Sequence, residues 1–470
     1  MKPITFLLFL LSLCSAEKEP KHLCSRGKSV ERWISNSSTL SLNQSKIDIS
    51  FYDISIDINF ESNTINGSVG VNGFIDNNLP EYIELDFYNN MEVNSILQNN
   101  GQVSFLHEQN KIKIPINNII IQGDNYFSIL IKYQGTPQDC GAGGFKFDEH
   151  LGVDHVWTLS EAYCARSWWP SKDDPSDKAD SVYVRVTVPA NPNFIVASNG
   201  LLDSITNDGD KNTFFWKEKY PITTYLVSLA IYPYTIWSEQ YISSISNDTM
   251  AIEHYVFPDR YESSFSNYSL TGEMISFFSG LFGEYPFISE KYGHADFKWG
   301  GGMEHQTLSS MGSSSQNLIV HELGHSWWGN LITCKTFNDI WLNEGFARYC
   351  QALWVEHING KEAYFSFMND YAYYGDGTIY VENPSSNSQI FNSNLSYNKA
   401  SWVLHMLRRK VGDDTFFEIL KSYASNDTLA YNAASTADFQ KISEDISDQN
   451  LELFFQQWIY EEGYPKYEMS

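Results

Sequence analysis

His321, Glu322 and His325 fall in the stretch "VHELGHSWWGN", residues 320–330. On a helix, residues four apart share one face, about 6 Å apart along the axis, so two imidazoles at that spacing can meet one cation. Zinc takes imidazole nitrogen at about 2.0 Å, and in catalytic sites it uses three protein ligands and leaves one position for water. Glu322, directly after the first histidine, can hold a carboxylate beside that water as a general base. The ordinary alternative is three polar side chains on a buried helix. A third ligand separates the two readings. Nineteen residues after His325, Glu344 opens a second helical stretch in "WLNEGFARY", residues 341–349. That separation leaves room for a helix end, a loop and a return. Alone, Glu344 would read as a first-turn carboxylate favoured by the helix dipole. Beside the double histidine it completes a zinc ligand set.

The elements that must position these residues divide the chain in two. From Lys46 to about Trp237 apolar residues alternate with polar ones, as in Ile54, Ile56, Ile58 and Phe60, with a phase slip at Tyr52-Asp53. Asn66-Gly67, Asn199-Gly200 and Asp208-Gly209 supply turns. Strands are expected over 181–188, 194–198, 213–217 and 224–232. From about Ser266 the spacing becomes helical, over 318–329, 341–357, 399–409, 415–425 and 437–460. Residues 313–315 are serines that can cap the first of these helices, and Asn359-Gly360 can stop the second. The expected fold class is α+β in two domains: antiparallel β over residues 46–237, then a mostly helical catalytic domain over 238–464. Residues 465–470 read as the entry to a possible further domain.

"HELGHSWWGN" followed by the glutamate of "WLNEGFA" resembles the membrane-alanyl-aminopeptidase (gluzincin) family of zinc exopeptidases, to which leukotriene hydrolase is related. Three further segments carry the likeness, in the family's order. "GGGMEH", residues 300–305, is similar to the exopeptidase signature Gly-x-Met-Glu-Asn. "YNKASWVLHMLR", residues 397–408, is similar to the segment bearing the catalytic tyrosine, here Tyr397. "SEAYCARSWWPSKDDP", residues 160–175, resembles the segment with a Gln or Glu beside the substrate amine, here Glu161. The resemblance implies a β-saddle domain, a thermolysin-like catalytic domain and a cleft between them. It implies one Zn2+ per chain on His321, His325 and Glu344, with Glu322 as general base and Tyr397 as donor to the oxyanion. Glu161 and Glu304 would bind the substrate's ammonium, because two carboxylates in one cleft repel each other until a cation arrives. Gly301, Gly302 and Met303 would line an extended peptide backbone, since glycine lets a chain approach closely. His305 departs from the family's asparagine, and Gln351 from a common glutamate that supports the ligands. His305 as a further ligand is disfavoured because the set is already complete. Asp339 is a second candidate for supporting them.

The chemistry this implies is zinc polarising a scissile carbonyl and acidifying water, on peptides with a free N-terminus. A zinc endopeptidase is one rival, and an inert binding protein on the same fold is another. Arg166 with Asp173-Asp174 is expected to hold the domain interface. Trp168, Trp169, Trp327 and Trp328 are expected in core or cleft wall, His294, His357 and His405 as packed or surface residues, and Lys399 as structural.

The bulk numbers are consistent with a globular enzyme. The chain has 470 residues, 42% hydrophobic and 15% aromatic, with a formal net charge of -26. That charge repels nucleic acid and anionic membranes. Residues 1–16 read as a signal peptide, with Lys2, an apolar run over 4–13 and small residues at 14–16, so export to a secreted, periplasmic or cell-surface location is expected. Residues 17–45 are read as an N-terminal segment. No later stretch looks transmembrane, and a monomer is expected. Of six cysteines, Cys24, Cys140, Cys164, Cys334 and Cys350 follow the signal. Export permits disulfides, and Cys140 with Cys164 is the favoured pair, with buried free thiols the alternative. Sequons stand at Asn36, Asn43, Asn66, Asn247, Asn267, Asn394 and Asn426. A glycan at Asn394 would crowd Tyr397.

Overall fold

A computed structural model describes residues 40–140 and 143–464. The signal-peptide expectation, Cys24, Asn36 and the terminal stretch 465–470 lie outside the described residues. The alternating pattern near the start becomes the long strand Ile47–Asn59, whose isoleucines face inward and are almost wholly buried. It pairs antiparallel with Thr64–Ile75 and parallel with Ser181–Pro189. The phase slip lies between Ile49 and Phe51, where the ladder register shifts. That is slightly earlier than expected, because such a bulge inserts a residue without changing the alternation on either side.

These strands centre an eight-stranded sheet that runs from Leu201–Asn207 at one edge to Gly101–Val103 at the other. A four-stranded sheet packs with it, in the order Ile195–Ser198, Leu229–Tyr232, Val153–Leu159, Gly144–His150. Glu161 lies two residues beyond Val153–Leu159. Residues 224–226 form a 3-10 turn rather than the start of a strand, and the strand begins only at Leu229. Arg166 corrects an expectation. It pairs with Asp86 and Asp173, and Asp173 in turn accepts from Thr224, so the cluster knits the first domain's own loops.

The second half contains a sheet the periodicity does not announce. Its strands run Thr235–Ile242, Thr249–Val256, Lys291–Asp296, Ser309–Met311 and Gly302–Met303, with the last at an edge. Lys291–Asp296 is buried at every position, and a strand covered on both faces shows no alternation. The strand Thr235–Ile242 crosses position 237 and belongs to this sheet, so the seam lies just before it.

Helix Gln316–Gly324 begins at Ser315, whose hydroxyl accepts from the Leu318 amide. It ends five residues earlier than the spacing implied, at a turn that reaches Gly329, where φ is 138°. Helix Trp341–Asp370 is interrupted at Gly360, which leaves helical geometry at φ 81°. The expected helix over 437–460 is broken at Asp448, with φ 52°, into Thr436–Ser447 and Glu452–Phe455, the latter running on into the π-helical turn Gln456–Tyr460. Among the described residues no helix is long and apolar enough to cross a membrane.

The halves are joined by buried hydrogen bonds. Asn199 donates to the Gln306 carbonyl at 2.6 Å, the Gly200 amide to Thr307 Oγ1 at 2.8 Å, and Lys291 to the Ser198 carbonyl at 2.8 Å. Asn343 Nδ2 donates to the Tyr225 hydroxyl at 3.3 Å. Unpaired, each of these groups would cost about 1–3 kcal/mol, so the seam is specified in position as well as in area.

Candidate active site

Helix Gln316–Gly324 and the first turn of Trp341–Asp370 pack side by side. Gly324 permits this, since a Cβ there would come 3.0 Å from Cys350. The packing brings three ligand atoms together. His321 Nε2 lies 3.2 Å from Glu344 Oε2, His325 Nε2 lies 3.3 Å from His321 Nε2, and His325 Nε2 lies 3.4 Å from Glu344 Oε2. Ligands about 2.0 Å from a tetrahedral zinc stand roughly 3.3 Å apart, so the triangle has the edge length such an ion requires. The donor set agrees. His325 Nδ1 donates to the Trp328 carbonyl at 2.9 Å. That bond fixes the tautomer and leaves the Nε2 lone pair turned toward His321 and Glu344.

The surroundings favour positive charge. Burial pushes His325 down, but the carboxylates of Glu304, Glu344 and Glu322 outweigh it and lift the ring to about 10, so Nε2 sits where a cation is favoured and a metal ion there would take the place of its proton. Burial alone would raise Glu344, yet the two histidines hold it below the usual carboxylate range. For His321 burial dominates and pushes it down to about 4.

Glu322 is buried directly behind the edge strand Gly302–Met303. A Cβ on Gly302 would overlap its carboxylate, so glycine is required there for steric reasons. Glu322 also shares a group of ligand-type atoms with Glu304 and His325, all within 4.8 Å of one another. Glu161, Glu304 and Glu344 form another such group within the same limit. Two glutamates from opposite sides of the seam thus converge beside the trio, and all four site glutamates are at most 1% exposed. Carboxylates this close and this dry need cationic partners. Tyr397 sits in a π-helical turn, Ser393–Lys399, and its ring lies 6.0 Å from that of His321 at 20°. Such turns recur where a helix must aim a functional side chain. Gly301, Gly302 and Met303 run along the sheet edge, with Gly302 opposite Met311 and Met303 opposite Ser310.

Other expectations resolve differently. His305 belongs to none of the ligand-type groups among the described residues. Its Nδ1 lies 2.8 Å from Ser310 Oγ, and burial pushes the ring down to about 3, so it is neutral. Gln351 accepts from Arg348 at 2.6 Å and donates to the Asn317 carbonyl at 2.6 Å, so it braces the back of the ligand helices without touching a ligand. Asp339 accepts from the amide and hydroxyl of Thr436 and fastens the later helices. Lys399 donates to the Gly377 carbonyl. His294 is packed against His254. Cys140 and Cys164 form a disulfide, and Cys334 and Cys350 are buried free thiols.

Sequence reasoning missed Arg348, Asn330 and Tyr225. Arg348 is buried one turn after Glu344, with its guanidinium 4.3 Å from the Tyr371 ring centroid. Asn330 donates to the Glu304 carbonyl at 2.8 Å. It lies inside the histidine motif, and an amide next to a ligand turn was the available signal. Tyr225 had none, since its contact with Asn343 exists only once the domains meet.

A β domain on a helical domain carries a His-His-Glu trio near their junction, a two-domain architecture with a candidate metal site. Two family descriptions match the chain: the peptidase M1 N-terminal domain over residues 48–226 and the peptidase family M1 domain over 303–458. The chain belongs to peptidase family M1. Its fold is similar to the M1 zinc metallopeptidase of Deinococcus radiodurans, with a TM-score of 0.78 at 24% identity over 91% of this chain and 96% of that one. An alanine variant of that enzyme bound to a Tyr-Ser-Ala substrate matches at a TM-score of 0.77. Among curated relatives, a probable aminopeptidase of Sulfurisphaera tokodaii is 24% identical over 89% of this chain and 54% of its own length. Human aminopeptidase N is 26% identical over 73% of this chain and 39% of its own length. The chain therefore spans about half the length of these relatives, or less.

Proposed function

We propose that the protein is a zinc-dependent aminopeptidase that hydrolyses the first peptide bond of peptides with a free N-terminus. The observation that carries this reading is one cluster holding both a metal triangle with 3.2, 3.3 and 3.4 Å edges and a second carboxylate group drawn from two domains. His321, His325 and Glu344 would hold one zinc ion per chain, which supplies Lewis acidity at the scissile carbonyl.

The chain's own residues do the rest. The Glu322 carboxylate takes a proton from the attacking water and returns it to the leaving amine nitrogen. The Tyr397 hydroxyl donates to the oxygen that becomes negative as water adds, a contact worth about 3–4 kcal/mol where such donors have been removed. Glu161 and Glu304 bind the substrate ammonium, which sets the first peptide bond over the trio. Residues 301–303 offer edge-strand backbone groups to the extended substrate. The buried carboxylates select for a cation there, which favours this reading over an endopeptidase. The Cys140–Cys164 disulfide is consistent with an exported enzyme.

The test is a panel of amino-acid anilides with N-acetylated counterparts, run on the wild type, on Glu322→Gln and after chelation. Cleavage of free-amine substrates only, abolished by chelator and by Glu322→Gln, is expected. Equal cleavage of blocked substrates would make the protein an endopeptidase. Absence of stoichiometric zinc in an active preparation would overturn the mechanism.

A further inference from the structure

The turn that carries Glu304 is braced on both sides. Upstream it leaves the edge strand Gly302–Met303, and Asn330 donates to the carbonyl of Glu304 itself at 2.8 Å. Downstream the Leu308 amide returns to the His305 carbonyl at 3.1 Å, Thr307 takes a left-handed φ of 64°, and Gln306 and Thr307 receive the cross-domain bonds from Asn199 and Gly200. Between these anchors a side-chain contact spans the turn. His305 Nδ1 meets Ser310 Oγ at 2.8 Å, with both residues nearly inaccessible to solvent. Ser310 is the ladder partner of Met303. The contact therefore ties the residue after Glu304 to the strand that pairs with the residue before it.

We propose that His305 is a positioning residue for the substrate's amine. It acts inward through Ser310 to fix the Glu304 carboxylate, rather than contacting substrate or metal. The inference rests on the aminopeptidase reading above. A left-handed non-glycine turn such as this one is held only by its surroundings. Loss of the tie lets the Glu304 side chain sample other directions, which weakens capture of the ammonium while the metal triangle, on separate helices, stays as it is.

The geometry makes the test selective. Asparagine can place a polar atom where His305 has Nδ1, whereas glutamine reaches only to the Nε2 position. His305→Ala, His305→Asn, His305→Gln and Ser310→Ala are assayed on an alanyl anilide, with zinc content measured on each. We expect His305→Ala and Ser310→Ala each to raise KM about tenfold, the size of one buried hydrogen bond, with kcat and zinc content held near wild type. His305→Asn restores KM and His305→Gln does not. The double variant His305→Ala/Ser310→Ala is no worse than either single, as a shared contact requires. Ser310→Ala removes a single oxygen, so it reports on the contact even if His305→Ala fails to fold. Unchanged KM in Ser310→Ala, additive losses, or a fall in zinc content would overturn the proposal. A wild type inactive on every free-amine substrate would instead overturn the aminopeptidase reading.

Discussion

The metal triangle and the amine-facing carboxylates lie side by side but are built differently. The three ligand atoms of the triangle come from helix Gln316–Gly324, the residue that caps its end and the first turn of helix Trp341–Asp370, packed so closely that a Cβ at Gly324 would press on Cys350 at 3.0 Å. The amine-facing group draws Glu161 from a loop after a strand of the first domain and Glu304 from a turn in the second. Helix packing fixes the first, while the second depends on the seam, a disulfide and a few hydrogen bonds. The chemistry and the exopeptidase selectivity should therefore fail separately.

The sharpest way to break that division is Glu322→Gln. It should lower kcat by about 10²–10⁴-fold while zinc content by metal analysis stays stoichiometric. Loss of metal in this variant would mean the triangle is not independent of its neighbours. Tyr397→Phe comes next, with kcat down about 10²–10³-fold and little change in KM. A change confined to KM would move Tyr397 out of the chemical step. On the other side of the division, Glu304→Gln should raise KM for free-amine substrates by roughly 30-fold and relax discrimination against N-acetylated ones. Preserved discrimination would assign the selectivity elsewhere.

Smaller still is the joint change Cys140→Ser with Cys164→Ser. Cys164 follows Glu161 by three residues, and its amide bonds back to the Ser160 carbonyl at 2.8 Å. Removing the crosslink should raise KM severalfold and leave zinc content unchanged; a drop in zinc would show that the two regions are coupled. The second domain's sheet offers a check on stability rather than turnover. His254 and His294 are stacked and buried, 3.0 Å apart through Nδ1. Burial holds both down, His254 to about 3. Both rings bind protons more readily once unfolded, so stability is full above about pH 6.5 and falls as pH drops, by about 1.4 kcal/mol per pH unit for each ring. A melting temperature flat from pH 7 to 5, once carboxylate effects are removed by comparison with His294→Phe, would contradict this.

The same division marks what could be read in advance. The i, i+4 histidines and Glu322 were legible because helical geometry alone relates them, and Glu344 because its separation leaves room for a loop and a return. The alternating strand Ile47–Asn59 was legible because one face is buried. The buried strand Lys291–Asp296 was not, since residues covered on both sides carry no period. Resemblance pointed to Glu161 and Glu304, but their approach to each other is set by strands more than a hundred residues apart in the chain.

His305 shows the limit most clearly. In the sequence it was a departure from a motif, with metal binding one of the options, and only the fold supplied Ser310 as its partner. The sequence by itself determined which local segments fold and which side chains share a helix face, because those depend on backbone geometry over a few residues. The tertiary structure alone decided the 3.2–3.4 Å triangle and the meeting of Glu161 with Glu304. Those distances depend on how two domains and two helices pack, and packing is a property of the whole chain.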